Sequence, residues 1–148
     1  MREQNFRENF AFVERQILFI GVHETNGRID DAQELNQRNA RNVAWIDAMI
    51  NTFEDDYRAI VIFANGRPLR KENNNFYMGM ANVLYPLNPM PVAYIHANDD
   101  DGDGTVTYQP FHMDGMEHVQ AIQSSRGGTH SPLRIHVGWD DVNPFIVG

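Results

Sequence analysis

Three short, nearly unbroken apolar runs constrain this chain more than any other feature: Ile17-Leu18-Phe19-Ile20-Gly21-Val22, Ala59-Ile60-Val61-Ile62-Phe63-Ala64 and Val92-Ala93-Tyr94-Ile95-His96. Each is short, β-branched or aromatic, and lacks the polar alternation of a half-solvated strand. Such runs read as strands covered on both faces, which is the habit of parallel sheets. The first closes an apolar segment that starts at Phe10, and Asn26-Gly27 then turns the chain.

What lies between the runs supports the parallel reading. Asp30 and Asp31 open a predicted helix over about residues 31–54, with Asp31 and Glu34 at capping-box spacing. Val43, Ile46, Met49, Ile50 and Phe53 recur at three- and four-residue steps, so one stripe of this helix is buried. A shorter helix is predicted over roughly residues 74–85, ended by Pro86, Pro89 and Pro91. Strand, helix, strand, helix, strand at these spacings is the signature of βαβ units.

Beyond His96 the pattern changes to short alternating stretches at residues 105–108, 119–122 and 133–137, separated by Gly- or Pro-containing turns. These predict antiparallel strands on a sheet edge or in a second sheet. The expected fold class is therefore α/β, a mixed sheet with flanking helices and C-terminal antiparallel strands. At 148 residues and 42% hydrophobic, the chain suits one domain, residues 1–148, with a real core.

Composition removes several function classes. With no cysteine, disulfides, thiolate metal sites and cysteine nucleophiles are excluded. The formal net charge is -8, and the densest basic stretch, Arg67-Pro68-Leu69-Arg70-Lys71, is short, so nucleic acid is not an expected partner. No apolar run approaches the ~18 residues of a membrane span, and residues 1–5 lack the apolar stretch of a signal peptide. The compartment is left open by these features.

The strand and helix fragments, taken in order, resemble the C-terminal half of a calcineurin-like metallophosphoesterase, particularly a secreted branch of that superfamily. The matching pieces are Asn9-Phe10-Ala11-Phe12 leading into residues 17–21, Arg38-Asn39-Ala40-Arg41-Asn42-Val43-Ala44-Trp45-Ile46, and residues 59–64 and 91–96. Pro132-Leu133-Arg134-Ile135-His136-Val137 and Asn143-Pro144-Phe145 complete them. The resemblance implies half of a phosphoesterase sandwich. It also implies a two-metal hydrolytic centre whose ligands come from Asp-x-His, Gly-Asp-x-x-Asp and Gly-Asn-His-Asp/Glu motifs and two later histidine sites. None of the first three motifs occurs in this sequence. The chain is expected to begin just past the third. At the later sites Ala64-Asn65-Gly66 stands for one histidine, and Asp100 or Thr105 for the other. The expectation is a pseudoenzyme.

The loop after His96 has chemistry of its own. Asp99, Asp101 and Asp103 alternate, followed by Gly104, a backbone carbonyl at Thr105 and the apolar Val106. This matches the first two-thirds of an EF-hand-type loop, making Asp99, Asp101, Asp103 and Thr105 candidate ligands for calcium. The twelfth position is Pro110, so a further ligand would come from Asp114 or Glu117. The competing reading is a solvated acidic turn, in which Asp and Gly serve the backbone conformation. His112 and His118, flanking Asp114 and Glu117, form a second candidate metal cluster. His96, Trp45 and Trp139 read more simply as packed residues, and His130 as a solvated loop residue.

Three functions follow. The first is a non-catalytic structural or interaction protein. Its uncovered sheet edge or face recruits a second copy, giving a homo-oligomer, or else a partner chain. The second is a metal-dependent phosphoesterase whose N-terminal half comes from another chain, with Asn65, His96, Asp100 or Asp103 near a shared site. The third is a calcium-dependent binding module.

Overall fold

The computed structural model describes residues 8–23, 31–66, 74–97, 107–110, 115–124, 134–139 and 144–147. Strands β1 (Phe10–Glu14) and β2 (Ile17–Gly21) are followed by helix α1 (Ala32–Thr52), β3 (Ala59–Phe63), helix α2 (Asn74–Leu84) and β4 (Val92–His96). The C-terminal third contributes β5 (Thr107–Pro110), β6 (Val119–Gln123), β7 (Ile135–Val137) and β8 (Phe145–Val147). Six strands form one sheet in the order β1-β2-β3-β4-β6-β5, and β7 pairs with β8 in a separate antiparallel ribbon. The fold is mixed α/β, as expected.

Strands β2, β3, β4 and β6 run parallel, with antiparallel β1 and β5 on the two edges. The apolar segment beginning at Phe10 is thus a hairpin and not one strand. Arg15 and Gln16 make its two-residue turn with φ of 50° and 64°, the left-handed backbone that a tight hairpin requires. A turn lacking Gly, Asn or Asp carries no sequence signal, which explains why it went unpredicted. Residues 119–122, expected to be antiparallel, pair parallel to β4 through Val92↔Val119 and Tyr94↔Ala121. The chain runs out to the edge as β5 and returns between β5 and β4, a crossover that local alternation cannot reveal. Strand β8 was not anticipated.

Alternation along each strand divides the sheet into two faces. Leu18, Ile20, Ile60, Ile62, Val92, Tyr94, Val119 and Ala121 pack with Trp45, Ile46, Met49 and Ile50 of α1 and Phe76, Tyr77, Met80 and Leu84 of α2. Both helices therefore lie on one face. The opposite face presents Ile17, Ala59, Val61, Ala93 and Ile122, against which the β7–β8 ribbon places Phe145, Ile135, Val137 and, just beyond β7, Trp139. Arg58 sits 3.7 Å over the Trp139 ring, adding a cation–π contact at the start of β3.

Helix α1 begins where the sequence places it. Asp31 is the N-cap and accepts at Oδ1 from the backbone amides of Gln33 and Glu34. Glu34 departs from the capping-box expectation, since its carboxylate pairs with Arg38 one turn on, at 3.1 Å. The buried stripe is broader than the apolar periodicity suggests. Asn39 and Asn42 lie in it beside Leu35 and Trp45. At Gly79 of α2 a Cβ would stand 2.8 Å from Val43 Cγ2, so the glycine lets the two helices approach.

Candidate functional site

The sheet face away from the helices carries the features that a helix-covered surface would not. Phe10 and Phe12 on β1, Phe19 on β2 and Phe63 on β3 share this face, and their rings form a connected aromatic patch. Phe12 stacks on Phe19 with centroids 4.9 Å apart at 16°, and Phe19 stacks on Phe63 at 6.3 Å. Phe10 completes the patch, 6.2 Å from Phe12 and 6.4 Å from Phe63.

Gly21 makes the last contact geometrically open. Phe10 pairs with Gly21 across the hairpin, and Gly21 pairs in turn with Phe63. A Cβ at Gly21 would collide with the Phe10 ring. Without it, the ring crosses over β2 to meet the neighbour on β3. Phe12 remains 46% exposed and Phe63 37% exposed despite these contacts.

Next to the patch, under the β7–β8 ribbon, is a cavity of about 560 Å³. Phe19, Val61, Phe63 and Ile95 form its floor, and Ile135, Val137 and Phe145 contribute from the ribbon. Ala64, His96, Ala97 and Ser124 line the end at the carboxyl termini of β3, β4 and β6. Crevices outside the carboxyl ends of parallel strands are where open α/β sheets commonly take ligands.

The residues considered for metal chemistry behave differently. His96 is 2% exposed, stacks with Tyr94 at 6.0 Å, and at the end of β4 also borders the cavity. Its Nδ1 lies 3.0 Å from the Ala97 carbonyl oxygen. Asn65 follows β3 and is exposed. Its loop is fixed from beneath, where the Tyr94 hydroxyl donates to the Gly66 carbonyl at 2.9 Å and lies 3.3 Å from the Tyr77 hydroxyl. His118 has a structural bond, with Nε2 3.0 Å from the Leu84 carbonyl at the end of α2. Glu117 accepts from the Gly115 amide at 3.3 Å. Among the described residues, no group of three or more His, Asp or Glu side chains could hold a metal ion. Asp99, Asp100, Asp101, Asp103 and Thr105 lie outside the described residues, as do His112, Asp114 and His130.

Trp45 conforms to the packed reading. It is buried and donates through Nε1 to the Phe10 carbonyl at 3.3 Å, joining α1 to β1. The aromatic patch itself was not singled out from the sequence. Its signal was present in Phe10-x-Phe12, an aromatic pair at strand spacing, but the patch needs the β1–β2–β3 register to become visible. No helix among the described residues is long and apolar enough to cross a membrane. Comparison with family models, with curated proteins and with solved structures finds no match.

Proposed function

We propose that this chain is a non-catalytic structural or interaction protein on the C-terminal half of a calcineurin-like phosphoesterase fold, and that it self-associates through its helix-free sheet face. The observation that carries the reading is the exposed aromatic patch of Phe12, Phe19 and Phe63. Apolar patches of this kind on one side of a sheet mark contact surfaces. In a two-sheet sandwich the corresponding face meets the second sheet about 10 Å away, and among the described residues the β7–β8 ribbon supplies a small part of such a layer.

The half-fold reading rests on the sequence resemblance, and the mixed α/β sheet with both helices on one face is the coarser feature it shares. Ala64-Asn65 follows β3 where that family places an imidazole, which favours a role without hydrolysis. Light scattering coupled to size exclusion, run across a concentration series, tests the proposal. A mass of at least twice that of the chain is expected, and a clean monomer at every concentration overturns the self-association. Turnover of a generic phosphate ester with manganese would overturn the non-catalytic role.

A further inference from the structure

The cavity beneath the β7–β8 ribbon shares Phe19 and Phe63 with the aromatic patch but continues into aliphatic space over Val61 and Ile95. Its volume of about 560 Å³ falls in the range of small-molecule sites, roughly 300–1,000 Å³. Its walls come from two independent sheets of the same chain, so it exists within one protomer. The lining is aliphatic and aromatic over the floor and the ribbon, and among the described residues no Asp, Glu, Lys or Arg contributes to it.

Polarity is confined to one end. Along β6, Val119 and Ala121 belong to the helix side and Ile122 to the other. Alternation therefore puts Ser124 on the cavity side, just past the strand. The Ser124 amide donates to the His96 carbonyl at 2.8 Å, which fixes this residue beside Ala97. Among the described residues, the Ser124 hydroxyl and the His96 imidazole thus stand together at the carboxyl end of an otherwise apolar lining.

We infer that this cavity is a binding site for a neutral, mainly hydrocarbon molecule with one polar end, of the class of an aliphatic or isoprenoid alcohol. The apolar body fills the space over Val61 and Ile95, and its hydroxyl meets Ser124. A carboxylate of the same length is disfavoured, because its charge would be desolvated with no Lys or Arg among the described lining residues to receive it. The net charge of -8 acts in the same direction.

Titration calorimetry of the full chain with 1-decanol, and with decanoate as the charged counterpart, tests the site. Saturable binding of 1-decanol is expected, with decanoate weaker by more than about tenfold. Val61→Trp fills the floor of the cavity from β3, and Val137→Trp fills it from the ribbon. Each is expected to abolish 1-decanol binding, with circular dichroism recording that the fold is retained. The ribbon variant decides the matter if the substitution in the central strand unfolds the protein.

No saturable heat with 1-decanol overturns the inference, as does binding that survives Val137→Trp. Equal affinity for decanoate overturns the assignment to neutral ligands. Phe12 does not line the cavity, so Phe12→Ser separates this inference from self-association. A monomeric Phe12→Ser protein that still binds 1-decanol supports the cavity, and loss of binding in that variant places the alcohol between copies and overturns it.

Discussion

Asn42 of α1 and Asn9, 33 residues apart, are both buried and join through a side-chain hydrogen bond, Asn9 Nδ2 donating to Asn42 Oδ1 at 3.2 Å. Each also holds the backbone of His23, whose amide donates to Asn9 Oδ1 at 2.9 Å and whose carbonyl accepts from Asn42 Nδ2 at 2.9 Å. The pair closes the hairpin onto the long helix and fixes the chain where it leaves β2. Asn42→Ala leaves a buried donor on Asn9 and a carbonyl on His23 without this partner, at an expected cost of about 2–4 kcal/mol. Urea unfolding checks it. Asn42→Asp is expected to fare no better, because it keeps the shape but loses the donor and brings a charge.

The aromatic patch gives a prediction about assembly. Phe12→Ser removes the most exposed ring of the four and shifts the protein toward monomer in light scattering. Because Phe12 stacks on Phe10 and Phe19 and is about half buried, the monomer is also expected to lose about 1–2 kcal/mol of stability. Association between chains of net charge -8 also strengthens as salt rises from about 20 to 200 mM, since screening weakens the repulsion while apolar contact persists. An association that weakens over this range would point to an ionic interface.

In the calcium reading of the acidic loop, Asp99, Asp101, Asp103 and the Thr105 carbonyl hold the ion and calcium stabilises the chain. A ligand selective for the native state contributes about 2.7 kcal/mol at 100 times its dissociation constant. The expected readout is a rise in melting temperature with calcium that is lost in Asp101→Asn. No shift at millimolar calcium would leave the solvated-turn reading.

Tyr57 supplies a pH dependence. Burial raises its phenol above the ordinary value, and the nearby carboxylates Glu54 and Asp55 add to the effect. Its hydroxyl donates to the Ile50 carbonyl in the last turn of α1 at 3.0 Å. A phenol whose folded pKa is raised holds its proton longer in the native state, so stability falls as pH climbs from about 10 through the raised value. Denaturation between about pH 9 and 11 is expected to show a steeper loss in the wild type than in Tyr57→Phe. Parallel curves for the two proteins would sink the assignment.

The parallel strands and the long helix were legible because their signals are local. Residues 17–22, 59–64 and 92–96 read as strands buried on both sides, although Phe63 at the end of β3 stays 37% exposed, and Asp31 had to cap something. The hairpin turn at Arg15-Gln16 was illegible because its left-handed backbone is imposed by pairing of the flanking strands and not by a permissive residue. The parallel placement of β6 was illegible for a related reason, since a strand of five residues alternates alike beside either kind of neighbour. Asn39 and Asn42 were invisible as core positions because amides do not register in an apolar stripe.

The sequence by itself determined the α/β class, the order of the elements from β2 to β4, and the absence of every thiol-based chemistry. These follow from composition and from periodicities that each segment carries alone. Only the tertiary structure decided that both helices share one face. It also decided that Phe10 crosses Gly21 to reach Phe63, and that the ribbon encloses a cavity over Val61 and Ile95. Those outcomes depend on register between strands distant in sequence, where a shift of one residue would move every side chain to the opposite face.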